Sequence, residues 1–231
     1  MTGPNTNRPI LVFDVNETLL DITALAPIFE RVFGSADSLR EWFAQLILYS
    51  EAVSLSGGYT PFNVLAAGVF RMLGKTKSVG IQDVDIEALS TAMATLPALP
   101  DVHPALSALK QSGYRLVTLS NSPPGSGESP LMRAGLAEFF EQSFSVHTVE
   151  RFKPHPDTYQ QVAEALDVSP SALCMVACHV WDTIGAGAAG WQTVLVRRAG
   201  NAEILAPGVR HPDWIVDDLN GLLEIATSEW T

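Results

Sequence analysis

Four short polar stretches in this chain carry residue types that can do chemistry. Asp14 opens the first, followed by Val15, Asn16, Glu17 and Thr18. Next come Ser120-Asn121-Ser122-Pro123-Pro124, then Arg151-Phe152-Lys153-Pro154, and last Cys178-His179-Val180-Trp181-Asp182. Brought together, they would set a carboxylate, a hydroxyl, an amide, an ammonium and an imidazole around one crevice. Nucleophilic and acid–base catalysis on a small molecule draws on such groups. Each also has a plainer use. Asp14 can cap a turn, Ser120 and Asn121 can close an Asx or helix-cap turn, and Lys153 can be a solvated surface lysine. His179 can be a hydrogen-bonded structural histidine, and Asp182 suits the first turn of a helix by the macrodipole argument. The combination weighs more than its members. His103, His147, His155 and His211 read as surface or turn residues.

The elements around these stretches explain how they could meet. Five short apolar runs without polar alternation read as buried parallel strands: Ile10–Phe13, Arg115–Leu119, Leu173–Ala177, Thr193–Val196 and Trp214–Val216. Three of the polar stretches directly follow such a run. In an open parallel sheet the ligand crevice lies beyond the carboxyl ends of the strands, at the switch in strand order. Helical patterns alternate with the strands. Val102–Ser112 has Asp101 as its expected N-cap and stops at Gly113, Thr158–Leu166 carries apolar residues on one face, and Asp182–Ala189 is small and Ala/Gly-rich. The fold class is therefore α/β, a Rossmann-like parallel sheet with right-handed crossovers.

One connection breaks this alternation. Between the first strand and Val102 lie about eighty residues with no strand pattern, far more than an ordinary loop. They hold helical periodicity over Leu25–Phe33, Ser38–Val53, Pro61–Leu73 and Val84–Leu96, and Pro97-Ala-Leu-Pro100 returns the chain to the core. Residues 23–98 are thus expected to form an inserted helical cap, with 1–22 and 99–231 forming the core domain.

Composition narrows the partners. The 231 residues hold 14 Lys plus Arg against 25 Asp plus Glu, a formal net charge of −11, with 47% hydrophobic and 17% charged residues. Such a chain buries a core, and its acidity argues against nucleic acid or an anionic membrane as partner. The opening MTGPNTNRP does not read as a secretory leader, and no apolar run approaches the roughly 18 residues of a membrane span. Cys174 and Cys178 lie in one strand-like stretch, too far apart to bridge, and there is no second pair for a zinc site. A reducing, cytoplasmic setting is the expectation.

Asp14-x-x-x-Thr18, Ser120-Asn121, Lys153-Pro154 and the closing motif ending in Asp182 resemble the haloacid dehalogenase superfamily over nearly the whole chain, with the cap where that family places its smaller helical cap. Most of its members are Mg²⁺-dependent phosphatases. Those carry a second Asp two residues after the nucleophile, as general acid; here Asn16 stands there and cannot donate and recover a proton. They also carry a metal-binding Asp where this chain has Cys178, a poor ligand for Mg²⁺.

The sequence looks more like the type II, or L-2-haloacid, dehalogenases, which need no metal. Trp42 and Tyr49 in Glu41-Trp-Phe-Ala-Gln-Leu-Ile-Leu-Tyr49 match that family's cap helix, Lys153 with Tyr159 its lysine–tyrosine pair, and Val176-Ala-Cys-His-Val-Trp-Asp182 its last motif. The resemblance makes Asp14 the nucleophile, with Thr18 and Lys153 orienting and stabilising it, and Ser120 and Asn121 holding the substrate carboxylate. Tyr159 and Asp182 complete the site, and Val15 and Asn16 are expected beside the substrate. Two positions depart from the family. Phe43 stands where it has a halide-receiving arginine, and His179 where it has an asparagine.

The mechanism expected from this resemblance is covalent. Asp14 displaces halide from C2 of a short 2-haloacid, and water attacks the aspartyl ester to release the 2-hydroxy acid. His179 or Asp182 activates that water, and spacing does not choose between them. A lysine beside Asp14 would keep it ionised, and the N–H groups of the Ser120-Asn121 turn would add an anion site. Cap residues Phe43, Leu46, Tyr49 and Phe62, with Trp181, would line the apolar side. No cofactor and no metal are expected. Cap faces in this fold class often pair, so a homodimer is the analogy-based expectation. Two other readings stay open, a Mg²⁺-dependent phosphatase of small phosphoesters and a non-catalytic binder of an anion or a protein.

Overall fold

Six strands build one parallel sheet: β1 (Ile10–Phe13), β2 (Leu116–Ser120), β3 (Gln142–Ser145), β4 (Leu173–Ala177), β5 (Gln192–Val196) and β6 (Trp214–Val216). Their order is β3-β2-β1-β4-β5-β6, every pair parallel. This is a computed structural model, and it describes residues 8–124 and 128–230. The reading of the first nine residues as carrying no leader falls almost entirely outside that range. β1 and β4 are fully buried apolar runs, as strands covered on both faces must be. The order reverses between β1 and β4, so the ligand crevice belongs above that pair.

β3 was not legible as a strand. Its sequence, Gln-Ser-Phe-Ser, has one apolar residue and an exposed flank, and it joins the sheet only as an edge, through Val117–Ser120 of β2. Pairing, rather than propensity, sets its conformation.

Helices cover both faces. α5 (Val102–Gln111) buries Val102, Ala105, Leu106 and Leu109, an i, i+3, i+4, i+7 stripe. Asp101 precedes it but makes no side-chain cap. Its carboxylate instead accepts from Arg198 Nη1 at 2.9 Å and from the Leu219 N–H at 2.8 Å. A guanidinium is a stronger partner than a helix N–H, so the expected cap is lost to an ion pair between loops. The remaining core helices are α6 (Pro130–Arg133), α7 (Pro156–Leu166), α8 (Val180–Ala188) and α9 (Gly221–Ser228). α8 starts two residues earlier than its Asp182 reading, with His179 at its N-cap.

Between β1 and α5 the chain forms four helices, α1 (Ala26–Phe33), α2 (Ser38–Leu55), α3 (Phe62–Thr76) and α4 (Asp83–Ala94). They pack on an aromatic cluster. Phe29 lies 5.3 Å from both Trp42 and Phe70, centroid to centroid, and Phe33 lies 5.0 Å from Phe70. Trp42 is wholly buried and its Nε1 donates to the Ala66 carbonyl at 3.0 Å. This helical unit leaves and rejoins the core at one place. The Asp21 N–H donates to Pro97 O at 2.8 Å, and the Leu99 N–H to Leu19 O at 2.9 Å.

Candidate active site

The four polar stretches meet above β1 and β4. The chain leaves β1 at Asp14 and turns sharply, with Leu19 and Leu20 donating their N–H groups to Val15 O. Within that turn Glu17 takes a left-handed backbone, φ +62. A non-glycine residue there costs about 1 kcal/mol, and it points the Glu17 side chain away from the sheet toward the helical unit. Thr18 comes back under the carboxylate: its Oγ1 donates to Asp14 Oδ2 at 2.7 Å and accepts the Cys178 N–H at 3.0 Å.

Lys153 is the centre of the cluster. It is completely buried, and its Nζ donates to Asp14 Oδ1 at 2.8 Å, Asp182 Oδ2 at 2.8 Å and Leu119 O at 3.0 Å. All three ammonium protons are therefore placed. At an effective dielectric near 20, each 2.8 Å ion contact is worth about 6 kcal/mol, set against a desolvation penalty of several kcal/mol per ion. An ammonium buried here needs both acids. Burial works against charge on Lys153, yet Asp14 and Asp182 outweigh it and raise its pKa.

The two acids are driven apart. Burial pushes the Asp14 carboxyl up, but Lys153 and His179 overcome that and hold it well below the usual carboxylate range. Asp182 is pushed up to about 6, by burial first, with Lys153 opposing and Asp14 adding to the rise. Tyr159, also fully buried, donates to Asp182 Oδ1 at 3.2 Å, and burial together with Asp182 keeps its phenol well above the normal value. Asp14 is thus the more firmly ionised carboxylate of the two, and Asp182 holds Lys153 from the other side.

His179 faces Asp14 from the start of α8. Its Nε2 lies 2.9 Å from Glu17 Oε2, and its Nδ1 is 3.3 Å from Asp14 Oδ2 without the alignment of a hydrogen bond. The ring stacks on Trp181 at 4.7 Å and 14°, and Phe43 lies 5.7 Å away. Burial lowers the His179 pKa, but Cys178, Asp14 and Glu17 around the ring outweigh it and raise it well above 6.5.

A cleft of about 560 Å³ opens beside these groups, between the second of the four helices (Ser38–Leu55) and the loops after β1, β4 and β5. Glu17, Arg40, Phe43, Ile47, His179 and Trp181 are among its walls. Phe43 and Trp181 stand where an apolar lining was expected. The other expected lining residues do not. Leu46 and Phe62 are buried in helix packing, and Tyr49 is exposed. On that helix the face toward the cleft is 40, 43, 44, 47, 48 and 51, and Leu46 and Tyr49 lie off it.

Ser120 and Asn121 lie close by but already serve the loop. Ser120 Oγ accepts the Ser122 N–H at 3.0 Å, and Asn121 Oδ1 accepts the Lys153 N–H at 3.1 Å, which orients the lysine loop. Val15 is buried, and half-buried Asn16 forms a bridge with Leu20. Neither is among the cleft walls.

One site residue escaped the sequence reading. Arg40, from the helical unit, pairs with Glu17 through Nη1 and donates through Nη2 to Ala199 O at 2.5 Å. Its approach depends on Gly200, φ +87, where a Cβ would sit 2.9 Å from Nη2. The available signal was helical spacing: Arg40 is one turn before Phe43 and shares its face.

Asp14, Cys178 and His179 place one ligand atom each within 4.8 Å of one another, enough to collect a cation. The donors are one carboxylate, one sulfur and one imidazole, a borderline set rather than the all-oxygen set Mg²⁺ requires. The Lys153 ammonium already supplies positive charge at Asp14.

Comparison with known proteins bears on family and fold. A family model described as haloacid dehalogenase-like hydrolase matches residues 9–190. The chain is 34% identical over 191 residues to (S)-2-haloacid dehalogenase 1 of Pseudomonas sp. (strain CBS-3), covering 81% of this chain and 83% of that protein. It is 27% identical over 217 residues to the (S)-2-haloacid dehalogenase of Pseudomonas sp. (strain YL), covering 93% of each. A crystal structure of an L-2-haloacid dehalogenase superposes with a TM-score of 0.89 at 27% identity, over 96% of this chain and 99% of that one. The chain belongs to the haloacid dehalogenase-like hydrolases, in their L-2-haloacid dehalogenase branch.

Proposed function

We propose that this enzyme hydrolyses short 2-haloacids to 2-hydroxy acids through an ester on Asp14, without a metal. The observation that carries the reading is the state of Asp14. It is a buried carboxylate kept ionised by Lys153, with Thr18 donating to its other oxygen and His179, a wall of the cleft, 3.3 Å from it. A carboxylate stripped of bulk water and fixed by two donors is poised as a nucleophile.

In the first step an Asp14 oxygen attacks C2 of the acid from the side opposite the halogen. The C–O bond forms as the C–halogen bond breaks, and the halide leaves with the electron pair. Lys153 and Thr18 hold the attacking group in place. Phe43 offers the departing anion only a weakly positive ring edge, but Arg40, one turn away on the same face, brings a guanidinium to the cleft wall. In the second step water adds to Cγ of the ester. The tetrahedral species collapses with loss of the 2-hydroxy acid, and Asp14 is restored.

The two cysteines are free and buried, which suits a reducing cytoplasm. Among the described residues, no helix is long and apolar enough to cross a membrane.

The test is halide release from each enantiomer of 2-chloropropionate, and from fluoroacetate, in EDTA, beside a phosphate-release control with Mg²⁺. Halide in EDTA, lost in Asp14→Asn, is the expected result. Phosphate release alone, and only with metal, overturns the reading. In a single turnover in ¹⁸O-labelled water, the label should enter Asp14 before it reaches product.

A further inference from the structure

Resting on the aspartyl-ester reading, we infer that His179 is the base for ester hydrolysis, that Glu17 is its positioning residue, and that Arg40 fixes Glu17 from the helical unit. The two groups that could activate water, Asp182 and His179, differ in access. Asp182 is fully buried, its Oδ2 bonded to Lys153 and its Oδ1 to Tyr159, and it is not among the cleft walls. No lone pair of it faces open space beside Asp14. His179 is a cleft wall, and its Nδ1 is the imidazole atom left without a hydrogen-bond partner, 3.3 Å from Asp14 Oδ2. A water accepted at Nδ1 sits beside Cγ of Asp14.

Glu17 makes this nitrogen available. Its carboxylate takes the Nε2–H, which leaves the lone pair of a neutral ring on Nδ1. The left-handed turn at Glu17 delivers the carboxylate to the ring, and Arg40 holds its other oxygen. Several charged and polar groups face this imidazole: Asp14 and Glu17 from the turn after β1, Cys178 beside it, and Arg40 and Glu51 across the cleft, with Phe43 and Trp181 as its apolar neighbours.

The chemistry of the first step then switches the second on. While Asp14 is an anion, it favours a proton on Nδ1. Once Asp14 is alkylated that negative charge is gone, and Nδ1 gives up its proton to solvent through the cleft and becomes a base. Water then adds to Cγ and passes a proton to Nδ1. Collapse breaks the bond from Cγ to the alkyl oxygen, and the departing alkoxide takes the proton from Nδ1 to become the 2-hydroxy acid. The carboxylic acid left on Asp14 then passes its proton to Nδ1, which restores the starting charges, and the one proton released per turnover is the one His179 gave to solvent after alkylation.

The experiment is rapid quench with 2-chloropropionate, following chloride, 2-hydroxypropionate and the intact-protein mass. In His179→Ala, one equivalent of chloride per site should still appear, the adduct on Asp14 should accumulate, and hydrolysis should fall by about 10²–10⁴-fold. Added imidazole should recover part of it. The isosteric Glu17→Gln should also build up adduct, with kcat lower and KM little changed, and Glu17→Asp should recover part of the rate. Chloride burst and turnover falling together in both variants would overturn the assignment, and so would adduct stalling in Asp182→Asn but not in His179→Ala. If the parent enzyme formed no adduct on Asp14, the ester reading itself would fail. If the parent formed it and His179→Ala hydrolysed it at the parental rate, only the present inference would fail.

Discussion

Gly185 lies directly against Tyr159: a Cβ on the glycine would sit 2.5 Å from the phenol oxygen and 2.6 Å from Pro154 Cβ. No real Cβ tolerates that distance, so α8 approaches α7 this closely only because position 185 has no side chain. The contact lies behind the cluster around Lys153, since Tyr159 bonds Asp182 and Pro154 follows Lys153. Gly185→Ala should therefore cost about 1–3 kcal/mol in a urea melt and lower kcat as well, because the shift moves Asp182 and Lys153. A variant that loses stability but keeps the parental kcat would uncouple the packing from the site.

Lys153→Met keeps the volume and removes the charge. Two carboxylates would then share an enclosed space without a cation, as when a buried pair loses one partner, at about 3–5 kcal/mol. Turnover should fall to background, and thermal unfolding should occur at lower temperature. Lys153→Arg should not restore activity, because a planar guanidinium cannot reach Asp14, Asp182 and the Leu119 carbonyl from the same point. Activity in the arginine variant within tenfold of the parent would contradict this.

The pH profile follows from Asp182. With its pKa at about 6, it takes up a proton as the pH drops through that value and ceases to anchor Lys153 as an anion. The kcat/KM for a 2-haloacid should show an acid limb near pH 6. The sign for stability is the reverse. A folded-state pKa above the ordinary 3.8 means the fold binds a proton before the unfolded chain does, so this group favours folding increasingly as the pH falls from 6 toward 3.8. Activity should thus be lost while circular dichroism stays native. An acid limb near 4 would show that Asp182 is not the group observed.

Trp42→Phe tests the helical unit alone. It removes the Nε1 bond to Ala66 O and leaves a gap beside Phe29. A loss of about 1–3 kcal/mol is expected, from one hydrogen bond and a small cavity. Chloride release per folded molecule should be nearly unchanged, since Trp42 is not a wall of the cleft.

Much of the architecture was readable because buried parallel strands leave an unbroken apolar trace, as at Ile10–Phe13 and Leu173–Ala177. β3 left none, because an edge strand borrows its order from its neighbour. Lys153 illustrates a second limit. By itself it reads as a surface lysine, and only the two acids that surround it in space make full burial affordable. Asp14, His179 and Asp182 came from strand-end position and motif, Lys153 from a polar loop and motif, and Tyr159 from the family resemblance alone, and they do meet. Ser120 and Asn121 meet them too, yet their mapped bonds run to the loop backbone. Arg40 and Glu17 pair between the helical insertion and the turn after β1, and a pairing of that kind has no period in sequence.

The paired strands of backbone at the base of the helical unit bear on how the sheet is assembled. β1 must find β2 across the whole stretch from Phe13 to Leu116, and a closure of that length is slow and entropically unfavourable. The intervening helices make mostly local contacts and can form first. Once they do, Leu19 and Asp21 are held against Leu99 and Pro97, and the span that remains to be closed is only a short connection plus α5. The insertion that walls the cleft in the finished enzyme would, during folding, act as a clasp that brings β2 within reach of β1.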